Sequence, residues 1–168
     1  ATHLDANRTV AGLVVTDPEG APAVGVTRGL IAQSHEYGVF VSGPGPQVFL
    51  TDTSVVETQA VDAPARAGGI LFVNAAAAAA PSAGALLNLE RTIVRDNADS
   101  GVAISGAGIE AIFADVSILD TRALASGAAT GGLTVQGGVD LDGTRVLVAG
   151  NVRAGISVEG VGTKAAFG

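Results

Sequence analysis

The chain has 168 residues, of which 48% are hydrophobic but only 4% aromatic, and its 24 glycines suit one domain built from thin, closely stacked layers. The net charge of −7 argues against a nucleic-acid or anionic-membrane partner, because both need a basic surface patch. The absence of cysteine excludes disulfides and thiolate metal ligands, and no apolar run is long enough to span a bilayer.

A glycine followed by two apolar residues at alternating positions recurs along the chain. The six copies are Gly12-Leu13-x-Val15, Gly38-Val39-x-Val41, Gly69-Ile70-x-Phe72, Gly101-Val102-x-Ile104, Gly132-Leu133-x-Val135 and Gly155-Ile156-x-Val158. Alternation with a period of two predicts a short strand that turns one face inward. Each glycine therefore marks the start of one repeat, and we number the repeats from one to six by these glycines.

A second pattern of alternating apolar residues, ending in Ser, Thr or Asn, follows in the first four repeats. It reads Val24, Val26, Gly29, Ile31, Ser34; then Val48, Leu50, Thr53, Val55, Thr58; then Leu87, Leu89, Thr92, Val94, Asn97; and then Ala111, Phe113, Val116, Ile118, Thr121. In the fifth repeat we align Val139, Leu141, Thr144 and Val146 with this pattern, and Asn151 then lies two residues beyond the position expected for the polar residue. Equivalent positions recur in the same direction and register. This favours a parallel solenoid over the alternative, a β-sandwich of antiparallel hairpins.

The connector from the polar end of one repeat to the next glycine alternates in length. It is short from Ser34 to Gly38 and from Asn97 to Gly101, and long from Thr58 to Gly69 and from Thr121 to Gly132. The distance from Gly38 to Gly101 (101 − 38) equals that from Gly69 to Gly132 (132 − 69), 63 residues in both cases. The unit that duplicated is therefore a pair of repeats, and we expect longer loops at the same corner of every second repeat. The sequence predicts an all-β fold, a right-handed parallel β-helix of about six coils, with residues 1–168 forming a single domain.

These repeats resemble the right-handed parallel β-helix repeats of the pectate-lyase-like superfamily, in the form found in secreted bacterial proteins. The resemblance extends over essentially Gly12 to Gly160 and implies an extracellular or cell-surface location. It does not specify an activity, because similar coils serve lyases, hydrolases, adhesins and autotransporter passengers. Because the chain begins at Ala1 and contains no methionine, we also expect a processed chain or a part of a longer protein.

Stacking the repeats about 4.8 Å apart brings equivalent charged residues together. The third position of the second pattern is threonine in three of the five repeats, and the residue before it reads Arg28, Asp52, Arg91, Asp115 and then Gly143. This alternation predicts a structural charge ladder, since opposite charges on adjacent strands attract. The alternative is that the arginines recognise the carboxylate of a uronic acid.

A second column carries charges of one sign. Glu57, Asp96 and Asp120 follow Gln33 at equivalent positions of successive repeats. Three stacked carboxylates repel one another, and such repulsion either raises the pKa of at least one carboxyl group or favours binding of a cation. They are our candidates for a ligand or cation site, with calcium as the cation, or for the acid and base of a polysaccharide hydrolase. The alternative is a row of solvated turn acids that Arg95 and Arg122 neutralise.

The outward positions of the first strands begin with the apolar residues Val14, Phe40 and Leu71. Large apolar side chains facing outward predict a contact surface for another subunit or domain. The alternative is a cover formed by the insertion Asn74–Gly84, which contains six alanines and Pro81.

No set of residues forms a conventional nucleophile site, and the loops are short. We therefore expect a non-catalytic extracellular β-solenoid, a structural, adhesive or fibre-forming module that self-associates or packs on a larger parent chain. Because neither end of the repeat array carries an evident cap, we expect copies to assemble end to end. The alternative is a carbohydrate-binding or polysaccharide-cleaving β-helix enzyme, or a fragment of one. No cofactor is expected apart from calcium at the carboxylate column.

Overall fold

The computed structural model describes residues 11–16, 23–60, 67–74, 84–124 and 131–168. Every regular element within these ranges is a strand, which confirms the all-β prediction. The strands are β1 (Ala11–Thr16), β2 (Ala23–Thr27), β3 (Leu30–Ala32), β4 (Tyr37–Gly43), β5 (Gln47–Thr51), β6 (Ser54–Val56), β7 (Gly68–Asn74), β8 (Ala85–Glu90), β9 (Ile93–Arg95), β10 (Ser100–Ser105), β11 (Ile109–Leu119), β12 (Gly131–Gln136), β13 (Asp140–Ala149), β14 (Ile156–Glu159) and β15 (Lys164–Phe167). The predicted long loops include residues 61–66 and 125–130, which lie outside the described ranges.

The first strand of each repeat belongs to one sheet, which we call sheet A. Its order is β1-β4-β7-β10-β12-β14, and each neighbouring pair runs parallel. Leu13 aligns with Val39, and Val39 aligns with Ile70, so the register joins equivalent positions of consecutive repeats. Strands that are neighbours in the sheet are separated along the chain by strands of a second sheet, as parallel pairing requires. This arrangement rules out a sandwich of antiparallel hairpins.

The remaining strands form sheet B, to which the first four repeats each contribute two segments separated by a corner. The order of its main path is β2-β5-β8-β11-β9-β6-β3. Strand β11 runs unbroken through the corner, so it pairs with β8 along its first half and with β9 along its second half. Strand β13 also runs unbroken through the corner; it pairs with β11 along its whole length and with β15 along its first four residues. All of these pairs are parallel as well.

The core consists of layers of side chains that the two sheets turn toward each other. In β4, Val39 and Val41 are fully buried, whereas Phe40 between them faces outward. Most of the interior is aliphatic, and Phe72 and Phe113 are the largest fully buried side chains. Complete burial of a side chain of this kind stabilises the fold by about 1.5–3 kcal/mol. The small interior of each layer explains why so few aromatic residues are needed.

The fifth repeat departs from the predicted alignment. In the structure Leu141 pairs with Ala111, and Gly143 pairs with Phe113, whereas the sequence alignment matched Val139 and Leu141 to these two positions. The prediction was wrong by two residues. Side chains alternate with a period of two along each strand, so such a slip keeps Leu141 and Val146 facing inward and the hydrophobic pattern does not detect it. Only the corner changes, where Gly143 is buried and Thr144 is exposed.

Candidate functional site

The charged columns lie at the two corners of sheet B, where the backbone takes a left-handed conformation. In the first corner column φ lies between 46° and 55°, and its residues are Arg28, Asp52, Arg91, Asp115 and Arg145. A side chain other than glycine in this conformation costs about 1–2 kcal/mol. Main-chain hydrogen bonds to the next repeat offset this strain, since the N–H of Arg28 donates to Thr51 and that of Arg91 donates to Ala114. The corners are therefore held by contacts between repeats.

The first corner column forms ion pairs between adjacent repeats. The guanidinium of Arg91 donates two hydrogen bonds to Asp52, with Nε–Oδ1 and Nη2–Oδ2 distances of 2.5 and 3.0 Å. Arg145 holds Asp115 in the same way, at 2.5 and 2.7 Å. These hydrogen bonds lower the pKa of both carboxyl groups below the ordinary value. Both pairs are exposed to solvent, so each one contributes modestly to stability.

The last member of this ladder differs from the prediction. The sequence alignment placed Gly143 in the column, whereas the register of β11 and β13 pairs Ala114 with Thr144 and so puts Arg145 beside Asp115. Gly143 lies instead in the buried interior, in line with the core residues of the other repeats. The structure thus extends the alternation of charge by one more residue.

The second corner brings Glu57, Asp96 and Asp120 into one column, as their neighbours in β6, β9 and β11 require. Gln33 donates to Glu57 at a Nε2–Oε2 distance of 3.3 Å, and Arg95 Nε lies 3.7 Å from the Asp96 carboxylate. Arg122 donates to the backbone carbonyl of Asp96 and not to its carboxylate. Over the described ranges, no three His, Cys, Asp or Glu side chains are grouped to hold a metal ion. A cation or ligand role for the column stays a prediction.

A column of polar side chains follows the second corner. It contains Ser34, Thr58, Asn97, Thr121 and Asn151. The Oδ1 of Asn97 accepts the N–H of Thr58 at 3.1 Å, and its Nδ2 donates to the Val55 carbonyl at 3.1 Å. Asn151 bonds to the turn at Thr121 with the same geometry, since its Oδ1 accepts that N–H at 3.1 Å. Each asparagine therefore satisfies the buried backbone of the preceding repeat.

The predicted contact residues lie side by side on the outer face of sheet A. The register places Val14 beside Phe40, and Phe40 beside Leu71. Val14 is 44% exposed, whereas Phe40 and Leu71 are half-buried, and the ring of Tyr37 lies 5.7 Å from that of Phe40. Most of the insertion proposed as a cover, residues 75–83, lies outside the described residues.

Sequence reasoning missed an open depression of about 520 Å³ on the outer face of sheet B. Its lining includes Glu110, Ile112, Asp140 and Asp142, and the register pairs Glu110 with Asp140 and Ile112 with Asp142. An apolar side chain thus lies among three carboxylates. Correct alignment of the fourth and fifth repeats would have revealed this arrangement, but the two-residue error concealed it.

The class of protein that these observations define is an all-β repeat protein with parallel sheets, whose corners carry aligned columns of polar and charged residues. Comparisons with protein-family models, with curated proteins and with solved structures give no match to this chain. The part of the chain that the structure describes contains no helix with the length and hydropathy needed to cross a membrane.

Proposed function

We propose that the chain is a right-handed parallel β-helix of about six coils, one coil for each repeat, as in the pectate-lyase-like superfamily. Each strand of sheet A pairs in parallel with its counterpart one repeat away, and the chain passes through sheet B between them. Crossovers between parallel strands of one sheet are almost always right-handed, which supports this hand. The aligned columns are what stacked coils produce.

The function that we propose is structural: a non-catalytic module, extracellular or on the cell surface, of an adhesive or fibre-forming kind. The observation that carries this proposal is that the aligned polar side chains bond one repeat to the next. Asn97 and Thr92 donate to carbonyl groups of the preceding repeat, and Arg91 binds Asp52 of that repeat. Side chains used in this way stabilise the stack and are not available to a substrate.

End-to-end assembly of such a module follows from its strand edges. Among the described strands, β1, β2 and β3 each pair on one side only, and so do β14 and β15. An unpaired edge offers a row of N–H and C=O groups on which another strand can pair. A stack of copies would continue both sheets and so form a fibre.

Electron microscopy of the purified chain, together with sedimentation velocity over a range of concentrations, tests this function. Filaments, or a series of oligomers that grows with concentration, would support the fibre-forming role. Single particles at every concentration would contradict it. The second method matters because short stacks are hard to distinguish from monomers in images.

A second candidate function, carbohydrate binding or cleavage, is favoured by the depression. Ile112 offers an apolar surface to a sugar ring, and the surrounding carboxylates accept hydrogen bonds from hydroxyl groups. Binding and product release should be measured with neutral and uronic-acid polysaccharides, with and without calcium. Binding or cleavage that is lost in Asp140→Asn but kept in Asp52→Asn, which lies outside the depression, would assign the activity to the depression. Cleavage would then refute the non-catalytic proposal, and binding without cleavage would restrict the function to a carbohydrate-binding module.

A further inference from the structure

The glycines that begin the first five repeats share one steric requirement. A Cβ built on each would lie 2.6–2.9 Å from the carbonyl oxygen of the glycine that begins the next repeat. These glycines are Gly12, Gly38, Gly69, Gly101 and Gly132. Carbon and oxygen atoms repel each other at such distances, so a larger residue would separate the two repeats. Glycine at this position therefore marks a repeat that has another repeat stacked directly on it.

Gly155 begins the sixth repeat but has no such neighbour in the structure. The nearest atom to a Cβ there is a valine methyl at 3.8 Å, an ordinary contact distance, so the described chain does not require glycine. Beside it, Ile156 and Val158 are 42% and 45% exposed. Their partners in the fifth repeat, Leu133 and Val135, are only 1% and 0% exposed. Among the described residues, the sixth repeat thus resembles an interior repeat but has no repeat stacked on its far side.

We propose that a second copy of this chain docks on this end, with its strand β1 paired in parallel to β14 so that its Gly12 lies over Gly155. This inference rests on the proposed fibre-forming function and specifies the partner and the joint. The new pairing continues sheet A, whose register already joins all six repeats. It also gives Gly155 the carbonyl neighbour that the other five glycines have.

The two edges are complementary in sheet A. In the register of the existing repeats, Leu13 of the second copy would lie over Ile156, and Val15 over Val158. The apolar residues left exposed at this end would then be buried against apolar residues, as they are within the chain. On the outer face Val14 would lie over Ser157, so that no like charges meet.

Sheet B extends the joint in the same register. Strand β2 of the second copy would lie on β15, with Val26 over Phe167 inside and Ala23 over Lys164 outside. Phe167 is 45% exposed in the single chain, and this contact would cover its ring. A head-to-tail joint of this kind does not close on itself, so it builds a linear filament. Pairing of two identical ends would be antiparallel, whereas the described strands of sheet A pair in parallel.

The test is Gly155→Val, compared with wild type and with Gly84→Val, at which no described residue places an atom within 4 Å of an added Cβ. Circular dichroism melts should show all three chains equally folded. Sedimentation velocity should show that Gly155→Val associates at least about tenfold more weakly, a loss of about 1.4 kcal/mol. Gly84→Val should associate like the wild type. Equal association of Gly155→Val and wild type would refute the joint while leaving filament formation itself intact.

Charge substitutions on the outer face provide an independent test that does not depend on Gly155. A chain with Val14→Lys and Ser157→Lys should remain monomeric, since like charges would face each other across the joint. A chain with Val14→Glu and Ser157→Lys should associate. Equal behaviour of the two chains would contradict the register. A wild type that is monomeric at every concentration would refute both the joint and the fibre-forming function.

Discussion

Replacing Thr58 by valine should stabilise the chain, whereas the same replacement at Thr121 should destabilise it. The two threonines occupy equivalent positions of the polar column, two repeats apart, and both are almost completely buried. Among the described residues, the hydroxyl of Thr58 has no hydrogen-bond partner. The hydroxyl of Thr121 donates to Asn151 Oδ1 at 2.5 Å. One substitution thus removes an unsatisfied polar group, and the other removes a satisfied one.

The magnitudes follow from the burial of the two hydroxyl groups. A buried polar group without a partner costs about 1–3 kcal/mol, and a typical hydrogen bond contributes about 0.5–1.5 kcal/mol. We therefore expect Thr58→Val to raise the free energy of unfolding by about 1 kcal/mol and Thr121→Val to lower it by about 1 kcal/mol. For a chain of this length, each change corresponds to a shift of about 2–4 °C in the melting temperature.

Urea unfolding followed by circular dichroism measures both free energies by linear extrapolation. The m-values should match that of the wild type, because neither substitution changes the surface exposed on unfolding. Each variant serves as the control for the other, because both replace threonine by valine at equivalent positions. Shifts of the same sign in both variants would show that hydrogen bonding of the hydroxyl does not decide the outcome, and the reasoning would be refuted.

Three further predictions concern the corners. Because their arginine partners lower the pKa of Asp52 and Asp115 below 3.8, these pairs stabilise the fold above that pH and the effect is lost as the pH falls through the lowered pKa. In the double variant Asp52→Asn, Asp115→Asn, the free energy of unfolding should therefore depend less on pH in the acid range, as measured by urea unfolding at a series of acid pH values. Glu57→Gly should raise the melting temperature and stabilise by about 0.5–1 kcal/mol, because its φ of 58° is easily adopted only by glycine. Asn97→Ala should cost about 3 kcal/mol in urea unfolding, since two buried backbone groups lose their partner, whereas the half-buried Asn151→Ala should cost about 1 kcal/mol. Equal losses at the two asparagines would contradict the role of burial.

The register of most repeats could be predicted from the sequence because two independent markers agree. Glycines such as Gly38 recur where the next repeat approaches too closely for a Cβ, and the alternating apolar residues after them indicate the inward face. The fifth repeat offered two equally apolar alignments, and only the pairing of β11 with β13 decides between them. Arg145 and the depression around Asp140 were missed for that reason.

The left-handed backbone conformation of the corners could not be predicted from the sequence, for a different reason. Glycine is the usual sign of positive φ, yet Asp52 and Arg91 adopt φ of 49° and 46°. The composition of the corner therefore resembles an ordinary charged surface. What fixes the conformation is a set of hydrogen bonds to residues more than twenty positions away, such as that from Asp52 N–H to the Glu90 carbonyl. Such contacts become visible only when the repeats are stacked.

The two-repeat period of the sequence has a physical explanation in the first corner. Asp52 binds Arg91 of the next repeat, and Asp115 likewise binds Arg145 of the next repeat. If a single repeat had been duplicated, identical residues would lie over one another, and like charges directly opposite on adjacent strands are destabilising. A pair of repeats is the smallest unit whose duplication produces alternating charges at this position. The spacing of 63 residues between equivalent glycines is the length of that pair, so the chemistry of the corner accounts for the size of the duplicated unit.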